Sequence, residues 1–160
     1  MMKRTARNLA GGVLLVCLCV PPAALDAQIS IGTWVKQAAD GKTPADDLTL
    51  TVEACCNGGR RLIYRMPNAP PNLTMVLESP LDGTEAPVLL GGKPTGETMA
   101  LKRVDDHHLV SVIKQNGKQF ATSKATLSAD GKTLTVETDV TSAEGGQPLG
   151  KQTEIWIRKS

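Results

Sequence analysis

Two cysteines stand side by side at Cys55-Cys56, directly before Asn57-Gly58-Gly59. In a regular strand, neighbouring side chains point to opposite faces, so such a pair cannot bond. On a turn the same pair can close an eight-membered ring. The residues alone leave four chemistries open: one inward and one exposed thiol, a vicinal disulfide, a bridge to a second chain, or a reactive pair for redox work or a soft metal. Asp105-Asp106-His107-His108 sets four metal-capable side chains in a row. Consecutive residues do not converge easily on one ion, because zinc sites draw on spaced ligands. The stretch reads as a solvated hairpin turn.

Those two histidines are the only ones in the chain. A His-activated Ser or Cys would have to recruit this turn, and nothing around the nearby Ser111 supports activation. Gly91-Gly92-Lys93 lacks the strand–loop–helix setting of a phosphate cradle and reads as a loop. Arg60, Arg61 and Arg65 read as a solvated basic face, balanced across a hairpin by Glu53. Scattered acids always allow some carboxylate pair, but no activated nucleophile, metal set or cofactor motif emerges. The expectation is a protein that is not an enzyme and holds neither metal nor cofactor.

The elements that must position these residues are strands. No stretch of twelve residues has clean helical periodicity. Over 133–141, Leu134, Val136 and Val140 alternate with Thr133, Thr135, Glu137 and Asp139; over 48–54, Leu48, Leu50, Val52 and Ala54 alternate with polar residues. A period of two puts one face in a core and the other in water. Asn116-Gly117 and Asp130-Gly131 favour the positive-φ geometry of tight hairpins. Asn57-Gly58-Gly59 and Asp105-Asp106 mark further turns, and 142–148 a longer polar loop. Residues 67–97 are rich in Pro and Gly, with strands expected near 72–78 and 86–90. Nine or ten strands joined by short turns pair antiparallel with their sequence neighbours. Closing them into an up-and-down barrel of about 8–10 strands removes both free edges; a two-sheet sandwich would need longer crossovers.

The chain has 160 residues, one domain's worth. Lys3, Arg4 and Arg7, then the apolar run 9–20, then Pro21-Pro22 and a small residue at Ala27 have the three parts of a secretory signal. The run is too short for an ordinary membrane span. Cleavage after Ala27 is expected, leaving 28–160 as an exported domain, periplasmic or secreted, with no membrane span. Cys17 and Cys19 lack the small residue before them that lipid attachment needs, and leave with the signal. Beyond residue 27 the chain holds fifteen basic and fifteen acidic residues. That balance gives no electrostatic footprint for nucleic acid. Only Trp34, Tyr64, Phe120 and Trp156 are aromatic, so the core must be mostly aliphatic.

Gly32-Thr33-Trp34 opens the first strand, and Arg158 sits in the last, in Ile155-Trp156-Ile157-Arg158-Lys159. A Gly-x-Trp early in a meander barrel with an Arg on its final strand resembles the lipocalin and fatty-acid-binding (calycin) families. The resemblance implies that Trp34 covers one barrel end and that Arg158 packs over its ring, as an indole plug under a guanidinium should. Residues 102–140 (KRVDDHHLVSVIKQNGKQFATSKATLSADGKTLTVETDV) also resemble small exported bacterial proteins labelled lipocalin-like, mostly of unassigned function. The similarity spans most of 31–158. A second lipocalin motif with Thr-Asp-Tyr, a helical lid and a terminal Arg-x-Tyr clamp are absent from the sequence.

Such a barrel with an apolar interior would hold a small hydrophobic or amphipathic molecule. The candidate lining is Leu50, Val52, Leu62, Tyr64, Met75, Met99, Leu101, Val110, Val112, Phe120, Leu134 and Val136. A filled interior is the competing expectation. It would point to a protein-interaction module, such as a β-barrel inhibitor, acting through the stiff loop 66–72 and through 142–148.

Overall fold

The alternation and the turns organise ten strands. The structure, a computed structural model, describes residues 31–38, 44–66, 68–141 and 149–159. The expected signal over 1–27, its cleavage site and the loop over 142–148 lie outside the described residues. The strands are β1 (Gly32–Gln37), β2 (Pro44–Cys55), β3 (Gly59–Arg65), β4 (Met75–Ser79), β5 (Asp82–Leu90), β6 (Lys93–Arg103), β7 (His108–Gln115), β8 (Lys118–Leu127), β9 (Thr133–Val140) and β10 (Gly150–Arg158). Each pairs antiparallel with its sequence neighbours, and β1 also pairs with β10, so the sheet closes on itself. This is the up-and-down barrel the pattern demands, with no free edge.

Turn chemistry explains the hairpins. Asn116 (φ 50°) and Gly117 (φ 80°) both adopt the left-handed geometry of a two-residue turn between β7 and β8. The β8–β9 turn differs from its expectation. Gly131 has positive φ, but Asp130 does not. Asp130 instead accepts hydrogen bonds from the Ser128 hydroxyl (2.6 Å) and the Lys132 amide (3.1 Å), which closes a longer loop. The Pro-rich segment also shifts its strands. A single 3₁₀ turn over Pro71–Leu73 delays β4 to Met75, and β5 begins at Asp82 rather than 86.

Inward residues at one end of the barrel form a dense plug. Trp34 is fully buried, and Trp156, Val52, Leu77 and Val88 are nearly so. Leu81, Leu101, Leu109, Leu127 and Leu134 belong to the same cluster. Burying each such side chain contributes about 1.5–3 kcal/mol. The closing register sets Trp34 opposite Arg158. The Arg158 guanidinium lies 6.0 Å from the Trp34 ring centroid, and its Nη2 donates to the Ile31 carbonyl at 2.7 Å. Trp34 and Arg158 thus meet at the β1–β10 seam.

One basic residue departs from expectation. Arg60 is in phase with inward Leu62 and Tyr64, so it is buried rather than solvated. Its Nη1 donates to the carbonyls of Gly58 (3.1 Å) and Gly59 (2.7 Å), which compensates the buried charge. Arg61 points outward, opposite Glu53 in register, and ion-pairs with Glu78 at 3.4 Å.

Candidate functional site

Above the plug, the barrel widens into an interior cavity of about 300 Å³. Strand alternation dictates most of its wall. β2 and β3 contribute Leu50, Val52, Leu62 and Tyr64, β4 contributes Met75, and β6 contributes Met99 and Leu101. β9 supplies Leu134 and Val136, and β10 supplies Trp156 at the floor. Ten of the twelve expected lining residues therefore border one space: Leu50, Val52, Leu62, Tyr64, Met75, Met99, Leu101, Val110, Leu134 and Val136.

Val112 and Phe120 do not border it, and Val110 borders it from an outward strand phase. β7 carries apolar residues in both phases, so its period of two is ambiguous. The structure selects Leu109, Ser111 and Ile113 as the inward set: Leu109 is 5% exposed and Val110 40%. Val110 borders both the cavity and the outer face, and shares its strand phase with Val112. Phe120 sits within the register shift between β7 and β8 and stays half-buried, outside the core cluster. The reason is tertiary. Leu109 completes the plug with Leu101 and Leu127, which gains more burial than Val110 could in that phase.

The sequence reading missed the polar part of the wall. Ser111 pairs in register with Ser123, and Ser123 with Thr138. All three border the cavity, and the two serine hydroxyls hydrogen-bond at 2.5 Å. Thr138 is in phase with Leu134 and Val136, so the period of two would have found it; Ser111 carries no such signal. Glu154 also faces in, two residues before Trp156, and ion-pairs with Lys36 across β1 and β10. The cavity thus has a hydrogen-bonding side on β7–β10 and an apolar side on β2–β6.

Tyr64 joins the two. Its ring meets Trp156 edge-on with centroids 6.0 Å apart. Burial pushes its hydroxyl from 10.0 up to about 12, with the Glu154 and Glu97 carboxylates adding to the rise. The folded state holds this proton more tightly than the unfolded chain does. The associated stability is therefore complete below pH 10.0 and drains away as pH climbs towards about 12. The full difference is about 3 kcal/mol. Tyr64 is the only tyrosine, so phenolate absorbance in an alkaline titration reads this group alone. A transition at the ordinary tyrosine value would mean that the ring is not enclosed. Tyr64→Phe should lose none of this increment over the same pH range.

The remaining chemistry-bearing residues lie outside the cavity lining. Cys55 and Cys56 form a vicinal disulfide (S–S 2.07 Å). It is possible here because the chain leaves the strand at Cys56, where φ is 45°. Asp105 accepts from the His107 amide (2.8 Å), the His108 amide (2.9 Å) and the His108 ring (2.8 Å). These bonds, the His107 amide foremost, hold its carboxyl below the usual aspartate value, and the segment is the expected turn. Gly91 (φ 57°) and Gly92 (φ 79°) likewise form the β5–β6 turn. A wider concavity of about 640 Å³ lies on the outer face of β6–β10, where Lys102, Lys124 and Lys151 alternate with Glu137 and Asp139. Its outward-facing side chains belong to a solvated face of mixed charge rather than an enclosed space. No known family model matches this sequence, and neither does any curated protein.

Proposed function

We propose that this protein is an exported, non-catalytic barrel of lipocalin-like kind that carries a small hydrophobic or amphipathic molecule in its interior. The observation that carries the reading is the interior cavity of about 300 Å³, walled mainly by aliphatic side chains and floored by Trp156. Ligand sites have this character: concave, mostly apolar and furnished with a few polar groups. A barrel that filled itself would leave no such space. The Trp34–Arg158 closure adds to the likeness, since it is the feature on which the resemblance rests. Export is supported by the three-part leader and by the Cys55–Cys56 disulfide, which suits an oxidising compartment.

Filling the cavity tests the reading. Met99→Trp adds a large ring at a half-buried position in the wall. Calorimetry with 2-phenylethanol should give one site on the parent protein and binding about tenfold weaker or worse on the variant, a loss of at least about 1.4 kcal/mol. Far-ultraviolet circular dichroism checks that the variant keeps its sheet. A folded variant that binds the probe as tightly as the parent would sink the proposal. Native mass spectrometry of protein purified from its own host then identifies the molecule carried.

A further inference from the structure

The charged groups on the inner wall narrow the class of ligand, given the carrier reading above. Among the described residues, three charges at inward strand positions lie on the side of the barrel away from the plug. Glu154 borders the cavity directly, and Lys36 ion-pairs with it. Glu97 lies on the same face of β6 as Met99 and Leu101, two residues beyond Met99 and away from the plug. Across β6–β7 it is opposite Gln115, while Met99 is opposite Ile113, another wall residue. No cation of the described residues ion-pairs with Glu97. Arg60, also inward, is at the plug end and is held by the Gly58 and Gly59 carbonyls. Among the described residues, two inward carboxylates therefore share one ammonium away from the plug.

We propose that the cavity selects a small amphipathic amine, whose apolar ring or short chain lies over Trp156 and whose ammonium group sits between Glu97 and Glu154. The ligand would complete the charge balance that Lys36 leaves one short. Half-burial holds the Glu97 carboxyl above its ordinary value, as expected for a carboxylate that has lost water without gaining a cation. A carboxylic acid ligand would face the opposite situation, bringing a third negative charge into a poorly hydrated space. Size limits the molecule too. About 300 Å³ is room for about ten water-sized groups at roughly 30 Å³ each. A single aromatic ring with a two-carbon amine arm fits that space. The Ser111–Ser123–Thr138 row offers hydroxyls to any hydrogen-bonding edge of the ring.

Three matched probes decide the matter: phenethylamine, 2-phenylethanol and phenylacetate, titrated by calorimetry into the parent and into Glu97→Gln. Phenethylamine should bind the parent about tenfold more tightly than phenylacetate, with the neutral alcohol between them. Glu97→Gln should erase most of the amine's advantage and leave 2-phenylethanol binding unchanged, which also certifies that the variant is folded. Equal binding of all three, or tighter binding of phenylacetate, overturns the amine assignment while the carrier reading stands. An amine preference that survives Glu97→Gln intact also overturns it, because the selectivity then comes from elsewhere. Binding of none of the three removes the carrier reading and the amine assignment together.

Discussion

Replacing Trp34 with alanine should cost about 3–5 kcal/mol of folding stability, a large share of what a domain of this size has to lose. Trp34 is fully buried, at the point where the first and last strands meet. Its removal subtracts the broadest apolar surface in the plug and leaves a hole that the surrounding strands are too constrained to fill. The Arg158 guanidinium would lose the ring beneath it and keep only its bond to the Ile31 carbonyl. Arg158→Ala is the graded companion, with an expected loss of about 1–2 kcal/mol from one cation–π contact and one charge-assisted hydrogen bond. Urea unfolding followed by circular dichroism measures both. A Trp34→Ala midpoint within about 1 kcal/mol of the parent would mean that the β1–β10 seam does not hold the barrel closed.

Gly59→Ala should be nearly as damaging, for a different reason. Gly59 has φ −76°, which any residue can adopt, so backbone preference is not at stake. The obstacle is contact. A Cβ there would lie 2.2 Å from the Ser79 carbonyl oxygen and 2.8 Å from the Pro80 Cα. Both are backbone atoms, and the β3–β4 pairing fixes them. Relief requires the strands to part just where Arg60 donates to the Gly59 carbonyl. The expected loss is about 3 kcal/mol. Gly58→Ala separates sterics from conformation. It has φ +95° and nothing within 4 Å of its would-be Cβ. Its cost is the left-handed penalty alone, about 1–2 kcal/mol. If thermal melts rank Gly58→Ala as the more destabilising variant, the close approach of β3 to Ser79 is wrong.

How much of this was legible beforehand depends on whether a residue's role was local. Strands and hairpins were, because their causes lie within a few residues: Leu134, Val136 and Val140 in one phase, Asn116-Gly117 at a two-residue turn, the Asp105 carboxylate gathering the amides that follow it. Sequential hairpins then imposed meander order, and the cost of free edges imposed closure. Trp34 and Arg158 at opposite ends of the chain named the seam.

What the tertiary structure alone decided were matters of phase and of partners far apart in the chain. β7 has apolar residues on both faces, so only the plug formed with Leu101 and Leu127 could choose Leu109 over Val110. Arg60 looked like surface charge and is buried, because the phase of Leu62 and Tyr64 carries it inward. The Cys55–Cys56 bond depended on the φ of a single residue. The hydroxyl row and the Lys36–Glu154 pair join strands distant in the sequence, and Glu97 reaches the same end from a third direction. A period of two tells each strand that it has an inside and an outside. The polar residues that the insides bring face to face are set only by the register of the closed barrel.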